Sequence, residues 1–151
     1  MAAYTDSHGF NKGSASTPAY GPMREGWIEV ELDFAKIAAA RAAAGATALA
    51  ATDTLVLFPT FAGQVVLAVA AYLQTAEGAT ATMDVGDAAS GTRYFSNLDL
   101  NGTAGTYSVS TLDAPHVYNV TTGVIITLDH NSIDTAVVHL FFKVATVVPS
   151  H

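Results

Sequence analysis

The chain has 151 residues, half of them apolar and only 13% charged, with a formal net charge of −7. That length supports one domain with a substantial core, while six Lys and Arg scattered singly offer no cationic cluster, so neither nucleic acid nor an anionic membrane is an expected partner. The absence of cysteine excludes disulfides, thiolate metal sites and cysteine nucleophiles.

A charged fraction about half the usual quarter leaves a surface short of charge, which favours an assembled state over a free monomer. The opening residues have neither a basic start nor an apolar core and do not read as a signal peptide. The longest apolar run, residues 65–73, is too short to span a bilayer, and a soluble protein is expected.

Residues 1–26 are rich in Gly, Ser, Pro and Thr and show neither a helical nor a strand period. Tyr4, Phe10 and Tyr20 are spaced along them; the segment reads either as a frayed terminal tail or, as the spaced aromatics favour, as an extended arm whose aromatics fill pockets on another subunit or shell. Trp27 stands where the arm meets the domain, residues 27–151, and is expected to pack at that junction as the last of the arm's contact residues.

From Trp27 the pattern changes. Ile28, Val30, Leu32 and Phe34 alternate with Glu29, Glu31 and Asp33, the period of a strand with one face in the core and one carboxylate-lined face in water. Such a row reads as a solvated face that discourages edge aggregation rather than as a cation site. The alanine-rich stretch that follows predicts a short helix over residues 35–42 and then a loop.

Strand patterns fill the rest. Residues 54–58 are expected to end at Pro59, and residues 64–75 are apolar on both faces, with Val65, Leu67, Val69 and Leu73 against Val66, Ala68, Ala70 and Tyr72. A strand apolar on both sides is covered on both sides. One cover is the core; the other is expected to be a neighbouring subunit, with Val66, Ala68, Ala70 and Tyr72 as the interface candidates. Ala81, Met83 and Val85 alternate with Thr80, Thr82 and Asp84 in the next strand, after which Gly86 and Asp87 are expected to open a turn. Short strands follow near residues 94–96, 106–110 and 116–119, and longer ones over 123–128 and 136–148. Such spacing with Gly, Asn and Asp turns predicts an all-β antiparallel sandwich, jelly-roll-like, with an N-terminal arm and at most one short helix.

Chemistry-bearing patterns are sparse. The five histidines show no metal-ligand spacing, and His139, among Val138, Leu140 and Phe141, reads as a satisfied histidine at a core edge. Asp84, Asp87, Asp99 and Asn101 read as turn-stabilising side chains rather than as a calcium loop. No nucleophile elbow or phosphate loop occurs, so no catalytic residue, cofactor or metal is expected.

The order Asp33-Phe34, alanine-rich link, Thr52-Asp53-Thr54, apolar strand with Pro59 and Ala62-Gly63, then Asp84-Val85-Gly86-Asp87, Tyr94-Phe95 and Ala104-Gly105 resembles the capsid decoration (cement) proteins and related small virion proteins of tailed bacteriophages. The loop after Asp87 lacks the proline common in that group. The resemblance implies a jelly-roll-like sandwich that assembles as a homotrimer on the outer surface of an icosahedral capsid, binds the major capsid protein and clamps adjoining capsomers. The alternative reading is a tail, fibre or baseplate component that attaches to the host.

Overall fold

The computed structural model of the chain describes residues 23–111 and 114–147. Its strands are β1 (Met23–Asp33), β2 (Thr54–Thr60), β3 (Gln64–Thr75), β4 (Thr82–Asp87), β5 (Phe95–Asp99), β6 (Tyr107–Val109), β7 (His116–Val117), β8 (Thr122–Leu128) and β9 (Val137–Val147). One helix, α1 (Phe34–Ala43), joins β1 to β2.

The first sheet has the order β1-β9-β3-β6, with β7 also on β3, and the second the order β2-β8-β4-β5. All paired strands are antiparallel. β6 lies against Ala70, Ala71 and Tyr72, and β7 against Val65 and Val66, so the two run end to end along one side of β3. Taken as one interrupted strand, they complete a nested set: β1 with β9, β2 with β8, β3 with β6 and β7, β4 with β5. A long hairpin rolled so that successive pairs join opposite sheets gives this order, which is the jelly roll. The chain is thus an all-β sandwich with one short helix, as its patterning predicts.

Period-2 alternation builds the core. Leu32 of β1, Val69 and Leu73 of β3, Met83 and Val85 of β4, Val124, Ile126 and Leu128 of β8, and Val138, Leu140, Phe142 and Val144 of β9 are all buried in one cluster. Phe142 sits at its centre, edge-on to Phe58 at 4.9 Å and to Tyr94 at 6.3 Å between ring centroids. The helix starts where Asp33 caps it: its Oδ1 accepts from the Lys36 backbone N–H at 3.1 Å. That bond draws the Asp33 pKa below the ordinary carboxylate range.

Four details depart from the sequence reading. β1 already begins at Met23, inside the expected arm, and pairs with Val147 there. β2 continues through Pro59 to Thr60; as an edge strand it tolerates a residue with no N–H to donate. β4 continues through Gly86 to Asp87 instead of turning at them. The fourth is a register shift in β3 between Val66 and Ala68, where Leu67 is the extra residue opposite β9. It reverses the side-chain parity, so Val66 is fully buried in the core while Ala68, Ala70 and Tyr72 stay on the outer side as expected.

Two loops are held by specific contacts. Gly63, between β2 and β3, has φ +90°, a left-handed conformation that suits glycine. Glu77, after β3, accepts from the backbone N–H groups of Asp134, Thr135 and Ala136 at 2.9, 3.0 and 2.7 Å, and so fixes the approach to β9.

Phe142→Ala removes the ring that both sheets pack against. Its unfolding free energy in urea is expected to fall by about 3–5 kcal/mol with an unchanged far-ultraviolet spectrum.

Candidate functional site

Two regions carry side chains beyond those the core requires: a buried polar network at one end of the sandwich, and the outer face of the first sheet.

The network centres on Asp87, the last residue of β4. Burying a carboxylate is costly unless every oxygen is paired, and here each is. Oδ1 accepts from the Ala89 and Ser90 backbone N–H groups at 3.0 and 2.9 Å. Oδ2 accepts from Arg93 Nε at 2.6 Å and from the Tyr118 hydroxyl at 2.8 Å. Because the Tyr118 proton goes to Asp87, the Tyr94 hydroxyl donates to Tyr118 across 2.7 Å. Arg93 Nη1 lies 3.2 Å from His116 Nδ1; guanidinium only donates, so Nδ1 accepts and the His116 proton sits on Nε2.

Backbone geometry makes this cluster compact. A Cβ on Gly86 would collide with the Ser90 and Gly91 backbone, so only glycine lets the loop fold over the end of β4.

The electrostatics follow. Burial raises the Asp87 pKa, but the bonds from Arg93, Ser90 and Tyr118 outweigh it and hold the carboxyl below its ordinary range. The hydrogen bond to Asp87 raises Arg93. Burial pushes Tyr94 up to about 12 and raises Tyr118 as well. A hollow of about 430 Å³ opens beside the network, lined by Ala88, Val117, Asn119, Val120 and Thr122. The charges at its wall, Asp87 and Arg93, are spent on each other. With Asp87, Arg93, Tyr118 and Tyr94 bonded to one another, the chemistry of the network is that of a clamp.

The outer face of the first sheet is built by strand register. Three cross-strand rows place Trp27, Lys143 and Ala68 side by side, then Glu29, Phe141, Ala70 and Val109, then Glu31, His139, Tyr72 and Tyr107. Tyr72 lies 6.0 Å from Tyr107 and 6.2 Å from His139 between ring centroids. Phe141 is near-parallel to both Tyr107 at 6.2 Å and His139 at 6.4 Å. Trp27 is 56% exposed, Tyr107 60% and Val109 64%. His139 is held with Nδ1 2.9 Å from Glu29 Oε2 and Nε2 2.7 Å from Gln74 Oε1, with Glu31 Oε2 at 3.7 Å. Lys143 reaches Glu25 at 3.5 Å.

The sequence-derived candidates divide accordingly. Ala68, Ala70 and Tyr72 fall on this face. Trp27 joins them: it projects outward from β1 rather than packing at a junction. Val66 belongs to the core. Tyr4, Phe10 and Tyr20 lie outside the described residues. His139 is satisfied as expected, but on the outer face rather than at a core edge. Asp99 does stabilise a turn, accepting from the Asn101 backbone N–H at 2.8 Å; Asp84 does not, and from mid-β4 it accepts instead from the backbone N–H of Asn97 on the neighbouring β5 at 2.8 Å. Sequence reasoning missed the Asp87–Arg93–Tyr118 network; its one legible signal was Asp87 between Gly86 and Gly91, with Arg93 six residues on. Among the described residues, no three His, Asp or Glu side chains converge to hold a metal.

An antiparallel jelly roll with a buried polar network at one end and an aromatic outer face on one sheet is the class of molecule these features define. The chain is similar in fold to solved structures of phage particles. One is the cyanophage Pam1 capsid asymmetric unit, with TM-score 0.53, 20% identity, and 99% of this chain and 93% of that chain covered. Another is the acidic stable capsid structure of Helicobacter pylori bacteriophage KHP30, with TM-score 0.53, 14% identity, and 83% and 89% covered. No family model and no curated protein sequence matches the chain.

The network predicts a distinctive pH response. A depressed Asp87 contributes stability that is present above the ordinary carboxylate pKa of 3.8 and is lost as pH falls through its lower folded value. The raised tyrosines contribute stability that is complete below 10 and declines toward 12. Tyr118→Phe is expected to cost about 1.5–3 kcal/mol at pH 7 by urea unfolding, the worth of a hydrogen bond to a charged group. It should also show a shallower decline between pH 10 and 12 than the native chain.

Proposed function

We propose that this chain is a non-enzymatic virion structural protein that decorates an icosahedral phage capsid from its outer surface. It binds the major capsid protein across adjoining capsomers as an oligomer, with a homotrimer as the reading its sequence resemblance favours. One observation carries the proposal: a jelly-roll sandwich whose polar network is closed upon itself also exposes a coherent aromatic face on one sheet. Exposed apolar patches rimmed by polar groups mark protein contacts, and a satisfied clamp leaves the fold rigid enough to present one. The shared fold with chains of two phage capsid structures supports the setting, although fold by itself does not assign role.

The arm belongs to the same reading. In it Tyr4, Phe10 and Tyr20 bind the capsid or a neighbouring subunit, together with Trp27 on the sheet. Symmetry-related copies multiply modest individual contacts into firm attachment.

The test is co-sedimentation of purified protein with shells of the phage that encodes it. The native chain should pellet with the shells. A chain lacking residues 1–22, which leaves all of β1 intact, should fold with an unchanged thermal midpoint yet bind shells at least tenfold more weakly. Equal binding by the truncated chain refutes the role of the arm, and no binding by the native chain refutes the decoration reading.

A further inference from the structure

We infer that the outer face of the β1-β9-β3-β6 sheet is a docking site for a protein surface that pairs apolar side chains with Arg or Lys. This deepens the decoration reading and rests on it for the partner's place in the particle. Its physical basis is separate.

The argument starts from charge. Glu25, Glu29 and Glu31 project from β1 with side chains 46, 55 and 48% exposed. Among the described residues of this face, Lys143 is engaged by Glu25, and Glu29 and Glu31 share His139. A row of carboxylates is thus left with one neutralising lysine and one histidine. Beside it stands the ring cluster of Tyr72, Tyr107 and Phe141, and the short side chains of Ala68 and Ala70 leave low ground next to the rings. An incoming guanidinium matches both halves: its fork pairs with a carboxylate while its plane and methylene stem lie on aromatic and aliphatic groups.

The outer face of the second sheet supplies the contrast. Thr54, Thr127 and Asp84 form one of its cross-strand rows, and Val56, Ile125 and Gly86 the next, with no ring among them. That face does expose Val56, at 70%, but with neither a ring cluster nor a row of glutamates beside it.

A second copy meeting this face with its own would set Glu29 and Glu31 against their equivalents. Like charges opposed across a contact disfavour it. The occupant is therefore a different, cationic surface.

The experiment uses the whole chain and a defined probe. The acetylated, amidated peptide Leu-Arg-Leu-Arg is titrated into labelled protein, with Leu-Glu-Leu-Glu and maltohexaose as controls. The ring resonances of Tyr72, Tyr107 and Phe141 should shift saturably with the arginine peptide alone. Glu29→Gln/Glu31→Gln, which keeps side-chain shape, should weaken it by roughly fivefold to tenfold, as expected for two exposed ion pairs. Shifts elsewhere, an equal response to Leu-Glu-Leu-Glu, or a response to maltohexaose only overturns the inference.

A shell-binding arm compares the native chain with Glu29→Lys/Glu31→Lys and with Tyr107→Ser/Val109→Ser, each verified by an unchanged thermal midpoint. Loss of binding in both supports the inference; retention in both overturns it. A native chain that ignores shells but binds the arginine peptide sinks the decoration reading and leaves this one standing. Light scattering completes the set: a change of oligomer mass in the Glu29→Lys/Glu31→Lys chain identifies the face as a contact between copies and overturns the inference.

Discussion

Everything at one end of this sandwich depends on a single buried carboxylate. Asp87 closes β4 of one sheet, and Tyr118, which donates to it, follows directly on β7 of the other. The Tyr118 backbone also pairs with the turn into β3: its N–H donates to Gln64 O, and its C=O accepts from Gly63 N–H, both at 2.8 Å. The two sheets are therefore joined through one side chain by polar bonds as well as by hydrophobic contact. A partly paired carboxylate would be a liability here, since a buried unpaired charge costs more than the bonds it forgoes. Four residues donating to two oxygens, with Arg93 neutralising the charge, turn it into a fixed point.

This fixed point explains why the loop after β4 needs no regular structure of its own. The Asp87 oxygen that accepts from Ala89 and Ser90 replaces the ladder bonds that the chain gives up as it leaves the sheet. Gly86 clears the space, and Tyr94 sends its ring into the core against Phe142 while its hydroxyl reaches Tyr118. Glu77 works in the same manner near the start of β9, gathering three backbone N–H groups on one carboxylate. In a chain with few charges, Asp33, Asp53, Asp84 and Asp99 likewise accept from backbone N–H groups, so acidic side chains serve as brackets as well as surface. The low charged fraction is thus more than a sign of covered surface.

What could be read from the sequence was whatever depends on local period. The alternations at Ile28, Val30 and Leu32 and at Ala81, Met83 and Val85 settle which side of each strand is buried, because hydrophobic patterning and pleat share a period of two. The extent of β3 and the place of the helix were legible for the same reason. What could not be read depends on long-range pairing. The extra residue at Leu67 exists only relative to β9, and it is this bulge that sends Val66 inward. Asp87 looks like any turn aspartate until Tyr118, thirty-one residues later, is brought beside it. Trp27 seemed a junction residue because the strand's start could not be placed; once β1 pairs with β9 from Met23 onward, Trp27 is an outward position in mid-strand. The aromatic face was half visible, in Ala68, Ala70 and Tyr72. Its other half comes from β6 and β9, which no local window joins to them.

The carboxylate row on β1 therefore has two consequences that pull together. β1 is an edge strand eleven residues long, and a long open edge invites pairing with other chains. Glu25, Glu29 and Glu31 oppose such pairing between identical copies, because every copy brings the same charges to the same edge. The same row lies against the most apolar outward surface that the sheet possesses, so the penalty falls on self-association through the rings as well. A surface that is adhesive by its aromatics and repulsive toward itself by its acids discriminates by difference: the unwanted contact is raised in energy while the wanted one is left intact. Steering by exposed carboxylates acts mainly on encounter and register, and is screened within about 8 Å at physiological salt. The rings, by contrast, act after water is displaced and do not depend on ionic strength in the same way. Selectivity and grip thus reside in different side chains of one face, and either can be altered without dismantling the sandwich that holds both.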